Sequence, residues 1–79
     1  MKTLNTLIVG ESCFTDKIII NDDMHRRFID IGLVENTYVK CVGESPSGDP
    51  KAYMIRGAVI AIRSEDAEKI SVKRVKRWA

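Results

Sequence analysis

Apolar side chains recur at every second position through most of this chain, and at helical spacing in one segment. In Tyr38–Val42, Val39 and Cys41 fall on one face and Tyr38, Lys40 and Val42 on the other, the period of a half-buried strand. Tyr53 and Ile55 alternate with Ala52 and Met54, and Ile60 and Ile62 alternate with Val59 and Ala61. With Arg56-Gly57 between them, these runs predict a hairpin of strands Pro50–Ile55 and Ala58–Arg63. Cys13–Ile20 follows a turn at Gly10-Glu11-Ser12 and is rich in β-formers. Asp16 and Lys17 interrupt its apolar residues, which predicts a bent or bulged first strand. Ile70 and Val72 form a short last strand.

Met24, Phe28 and Ile31 stand at i, i+4 and i+7 and make one apolar stripe, the mark of a short helix. Asn21-Asp22-Asp23 supplies side chains that accept the unpaired N–H groups of a first turn, and Gly32 suits the left-handed residue after the last. His25, Arg26 and Asp30 occupy the opposite face. Val34-Glu35-Asn36-Thr37 reads as a turn in which Asn36 takes a positive φ. Glu44–Pro50 is a loop with two prolines and a glycine, in which Asp49 caps the turn before Pro50. Ser64 caps a single helical turn, Glu65-Asp66-Ala67-Glu68, whose acids favour the positive end of the helix dipole. Five strands, one helix between the first two and a helical turn before the last describe a mainly β protein. Its expected form is a small, strongly bent barrel that hides its edges by closing on itself.

Composition supports this reading. Ile and Val together outnumber Leu by 17 to 3, and β-branched side chains suit a pleated surface better than a helix. A chain of 79 residues holds one domain with one modest core. The barrel is assigned to residues 1–75 and a basic tail to residues 76–79. Lys73, Arg74, Lys76 and Arg77 put four positive charges near the end, so residues 1–72 carry 9 basic against 11 acidic side chains. A near-neutral body argues against a nucleic-acid-binding domain, which spreads a basic stripe over its folded face. The tail reads as a solvated terminus; the alternative is contact with anionic lipid head groups, with Trp78 at the interface. No apolar run reaches the ~20 residues of a membrane span and no secretory h-region is visible, so the expected location is the cytoplasm.

Little here suggests interior chemistry. Cys13 and Cys41 are 28 positions apart without a CxxC pair, and read as reduced, buried thiols. A transition-metal site needs three or more converging ligands, and the single His, His25, stands on a helix near acids already assigned as caps. The five glycines are scattered as turn residues rather than gathered into a phosphate loop, and no nucleophile–base spacing is present. The chain is expected to be neither an enzyme nor a cofactor carrier. Phe28 and Tyr53 read as core, which leaves too few aromatic residues for a proline-peptide groove.

Two blocks carry a family likeness. One is Arg27-Phe28-Ile29-Asp30-Ile31-Gly32-Leu33 followed by Thr37 and Val39. The other is Pro46-Ser47-Gly48-Asp49-Pro50, then Ile55-Arg56-Gly57, Ile60-Ala61-Ile62-Arg63, Ala67 and Ile70. With Leu4, Leu7 and Gly10-Glu11-Ser12, they resemble the FeoA domain of bacterial ferrous iron transport over about residues 3–72. The resemblance implies an SH3-like β-barrel and a cytoplasmic accessory protein that works with the large GTPase-coupled membrane transporter for ferrous iron. One departure is Glu35-Asn36, where the family usually carries Pro-Gly; Asn tolerates the left-handed conformation, so the turn is expected to survive.

The candidate protein-binding residues are Arg27, Glu35, Pro46, Asp49 and Arg56. An arginine offered to a GTPase would stabilise phosphoryl-transfer charge; the plainer reading pairs Arg27 with Asp30 and leaves Arg56 filling the hairpin turn. A second function fits the same barrel, an interaction module related to the SH3-like C-terminal domain of metal-dependent repressors. Exposed edge strands also leave self-association open.

Overall fold

In the computed structural model, which describes residues 2–18 and 22–77, the alternating segments pair into one antiparallel sheet. A 3-10 turn at Leu4–Thr6 leads into β1 (Glu11–Ile18), α1 (Asp22–Asp30), β2 (Tyr38–Glu44) and β3 (Lys51–Ile55). β4 (Ala58–Ile62), α2 (Ser64–Ala67) and β5 (Ile70–Arg77) follow. The order in the sheet is β4-β3-β2-β1-β5. Expectations placed on Ile19, Ile20, Asn21, Trp78 and the side chain of Asp22 lie outside the described residues.

Inward-facing positions make the core. Cys13, Val39 and Ile55 oppose one another across β1, β2 and β3, and all three are buried. Phe28 and Leu33 close the core from the helix side, Leu4 and Leu7 from the N-terminal turn, and Ala67, Ile70 and Val72 from the C-terminal segment. Tyr53 is buried among them, its hydroxyl donating to the Leu4 carbonyl at 3.4 Å. Met24 and Ile31 pack at the core margin, so the predicted helical stripe faces inward.

Helix α1 ends as the sequence proposes. Gly32 has φ +84°, the Leu33 N–H donates to the Phe28 carbonyl at 2.7 Å and the Gly32 N–H donates to that of Ile29 at 2.9 Å. This is the paired bonding of a Schellman end, with Leu33 and Phe28 supplying its apolar contact. Asn36 takes φ +63°, so the turn holds without the family's glycine. The β3–β4 hairpin turns on two residues, Arg56 at φ +50° and Gly57 at φ +83°, a geometry whose twist matches that of its strands.

A buried hydroxyl ties the α1–β2 connection to the sheet. Thr15 is fully buried; its Oγ1 accepts the Thr37 N–H at 2.8 Å and donates to the Val34 carbonyl at 2.5 Å. Thr37 Oγ1 in turn accepts the Val34 N–H at 3.2 Å.

Several sequence expectations change. β1 begins at Glu11, because Glu11 and Ser12 pair with Arg77 and Lys76 instead of turning. Its predicted irregularity is present as register shifts against β5, one between Ser12 and Phe14 and one between Thr15 and Ile18. Ser64 is the first residue of α2 and not its cap: Arg63 holds that position without a side-chain bond. The Ser64 N–H donates to Asp49 Oδ1 at 2.8 Å, so the cap comes from a loop 15 residues away. The last strand is long: residues 73–77 belong to β5 and pair with β1, so the basic run is not a loose tail and strand structure passes the expected domain boundary. On the far side of β5 the N-terminal segment adds a bridge, Thr3 to Ser71, and the Val72 N–H donates to the Lys2 carbonyl at 2.9 Å. β4 and β5 are the two ends of the sheet, and no strand pairing joins them among the described residues.

Both cysteines are free and buried, as expected. Burial pushes the Cys13 thiol up to about 12, with smaller contributions from Cys41 and Glu11, and burial also raises Cys41. Raised thiols stay protonated in the folded state after the unfolded chain has begun to ionise. Below the ordinary thiol value of 9.0 both states hold the proton; from there to about 12 the unfolded state holds fewer, so stability falls as pH rises. Urea midpoints measured across that window should decline less steeply for Cys13→Ala than for the native chain. Thr15→Val keeps the shape but strands the Thr37 N–H, and should cost about 1–3 kcal/mol in a urea titration at neutral pH.

Candidate functional site

A recess of about 490 Å³ lies between α1, β4 and the start of α2. Its α1 wall is the margin of the apolar stripe, Met24, Phe28 and Ile31, with Arg27 beside it. Its opposite wall is Ile60, Ala61 and Ile62 of β4, and Arg63, Glu65 and Asp66 close one side. β4 ends the sheet, so main-chain groups on its outer side have no strand partner among the described residues. The recess therefore combines an apolar floor, two basic residues, two acids and an unpaired strand edge.

A latch sets the position of β4 relative to α1. Arg56 in the hairpin turn lays its side chain over Gly32, where a Cβ would meet Arg56 Cδ at 2.4 Å. Its Nε donates to the Gly32 carbonyl at 3.0 Å. A guanidinium at a helix C-terminus satisfies a carbonyl that the helix leaves unpaired and suits the negative end of the dipole. Gly32 thus answers two demands, a positive φ and room for Arg56.

The five candidates are distributed over the molecule. Arg27 lines the recess, on the last turn of α1. The ion pair expected between Arg27 and Asp30 is absent among the described residues; Arg27 shares the recess with Glu65 and Asp66 instead. Arg56 is engaged with Gly32, and Asp49 with Ser64. Asp49 also borders a smaller recess of about 310 Å³, whose polar groups are bonded internally: Lys51 Nζ donates to the Asn5 and Leu7 carbonyls at 2.9 and 2.6 Å. Glu35 is exposed and shares a shallow recess with Ile18, His25 and Val34. Pro46 is exposed in the β2–β3 loop and lines none of the three.

Sequence reasoning did not foresee β4 and α2 as the second wall. The available signal was Glu65-Asp66 following the hairpin, which reads locally as helix-first-turn acids and gives no hint of facing α1. Among the described residues no group of three His, Cys or carboxylate side chains is placed to hold a metal ion. No helix among them is long and apolar enough to cross a membrane.

Comparison with known proteins bears on this arrangement. The solution structure of a FeoA protein from Chlorobium tepidum superposes with a TM-score of 0.84 at 28% identity, over 90% of this chain and 68% of that one. The crystal structure of Stenotrophomonas maltophilia FeoA complexed with zinc, described as an SH3-domain protein, gives 0.86 at 25% identity over the full length of both. A manganese-dependent transcriptional repressor gives 0.82 at 20% identity, over 91% of this chain and 40% of that one, which shows a shared fold. A search among curated proteins by sequence found no match. The family model of the FeoA domain matches residues 2–74, which takes in every strand and both helices up to the middle of β5, and the chain therefore belongs to the FeoA domain family.

Proposed function

We propose that this chain is a cytoplasmic accessory factor of ferrous iron uptake, with no catalysis of its own, that docks on the cytoplasmic part of the GTPase-coupled membrane transporter. The observation that carries the reading is the FeoA domain match over residues 2–74. The Stenotrophomonas maltophilia relative adds weight, since it is put forward as an activating factor of bacterial ferrous iron transport.

The docking surface is the recess between α1 and β4. An extended segment of the transporter adds to the outer edge of β4 by main-chain hydrogen bonds and sets alternate apolar side chains against Met24, Phe28 and Ile60. Arg27 engages an acidic or carbonyl group at the mouth. It is also the arginine of the pair left available to a GTPase, since Arg56 is held by Gly32. Glu35 and Pro46 contribute at the rim, where contacts are worth little individually. A second reading has the likeness to the manganese-dependent repressor behind it: an SH3-like module that binds a segment of a regulator through the same recess.

Titration of the labelled full chain with the transporter's soluble GTPase domain and its membrane-proximal segments, loaded with GTP or GDP, tests the proposal. Saturable binding is expected, and Arg27→Glu should weaken it about tenfold, equivalent to 1.4 kcal/mol, with an unchanged unfolding midpoint. Folded protein that shows no saturable binding to either partner would remove the transporter reading.

A further inference from the structure

The basic run at residues 73–77 is a sequence feature that docking through the recess leaves unused. In β5 it is held against β1, with Lys73 opposite Phe14 and Lys76 opposite Ser12. Lysines three residues apart face opposite sides of a regular strand. Here they oppose residues two apart in β1, which share a face. A bulge absorbs the difference: Arg74 and Val75 together stand against Cys13, and Arg74 takes φ +55°. Val75 packs at the core margin, Arg74 is exposed, and Lys73 and Lys76 come to the outer face of the sheet.

That face carries rings. Phe14 pairs with Tyr38 of β2, their rings meeting edge to face at 5.5 Å, and Tyr38 is 49% exposed. The neighbouring row continues from Ser12 through Lys40 and Met54 to Val59, which is 59% exposed. Two lysines at one edge thus border a face that carries Phe14, Tyr38, Met54 and Val59, with Lys40 and the buried Ser12 between them. Neither Lys73 nor Lys76 is in an ion pair or side-chain hydrogen bond with a described residue. Asp16 stands two residues beyond Phe14 on β1, beside the register shift between Thr15 and Ile18, and puts one acid at the border of these rows.

We propose that this outer face, with Lys73 and Lys76 beside Phe14 and Tyr38, docks on an anionic lipid bilayer. Lysines reach acidic head groups while amphipathic rings settle at their level. These four residues line none of the three recesses described above. A single nucleic-acid strand needs a groove that tracks its backbone and open ring faces for its bases, whereas here one ring's edge is packed on the other ring. The proposal stands apart from the transporter reading, because it concerns this chain and lipid alone.

Cosedimentation of the full chain with vesicles of phosphatidylcholine and phosphatidylserine in equal parts, against phosphatidylcholine alone, is the test. Binding to the anionic vesicles is expected, weakening with added salt. Lys73→Ala with Lys76→Ala should reduce partitioning about twenty-five-fold, at about fivefold per lysine. Arg26→Ala with Lys69→Ala removes the same charge from exposed positions on other elements and should leave binding close to native. Arg74→Gly keeps the bulge, since glycine takes a positive φ freely, and deleting Arg74 leaves Lys73 and Lys76 two positions apart on one face of a regular strand, so these two variants should bind equally. Equal binding to neutral vesicles, or equal loss from the two double variants, would overturn the proposal. Salt-sensitive binding to a single-stranded oligonucleotide without vesicle binding would overturn it in favour of nucleic acid.

Discussion

The pairing of the last strand with the first holds this small structure together. β5 runs beside β1 from Ile70 opposite Ile18 to Arg77 opposite Glu11, and so places the end of the chain against a strand formed near its beginning. Lys2 and Thr3 then bond to the far side of β5, which carries Leu4 and Leu7 into the core. Neither end is stable alone: the N-terminal turn has no sheet to cover without β5, and β5 has no partner without β1. Closing so long a loop costs chain entropy before any contact offsets it. The offset comes from burying Ile70, Val72 and the two leucines together.

Two charged side chains turn this assembly into a defined surface. Arg56 bonds the hairpin turn to the end of α1, and Asp49 bonds the β2–β3 loop to the start of α2. Both join elements that are distant in sequence and both meet an unpaired backbone group at a helix end, one carbonyl and one N–H. The recess between α1 and β4 is what remains open between these ties. It sits on the core side of the sheet, whereas the lysine-bordered rows lie on the outer face. A partner seated in one therefore leaves the other accessible.

The family blocks hold both kinds of residue without distinguishing them. Gly32, Asp49 and Arg56 serve internal geometry, while Arg27 lies in the recess. An exposed polar residue in a recognisable block reads as a binding residue until its partner is seen. Asp49 shows why: its partner, the Ser64 N–H, is a backbone group that no side-chain pattern announces.

The order and type of the elements were legible in the chain because they rest on local physics. Period-two alternation, the stripe of Met24, Phe28 and Ile31, Gly32 past the helix and Arg56-Gly57 in the hairpin each depend on neighbours a few residues away. The burial of Cys13, Cys41, Phe28 and Tyr53 followed from the same patterns. The length of β5 was not legible, because Val72 and Val75 stand three apart and match no strand period until a bulge at Arg74 turns both inward. The buried Thr15 hydroxyl, the cap supplied by Asp49 and the second wall of the recess were equally hidden. Each of these depends on which distant segments come to lie side by side, and that is settled by packing and strand register, not by the spacing of residues along the chain.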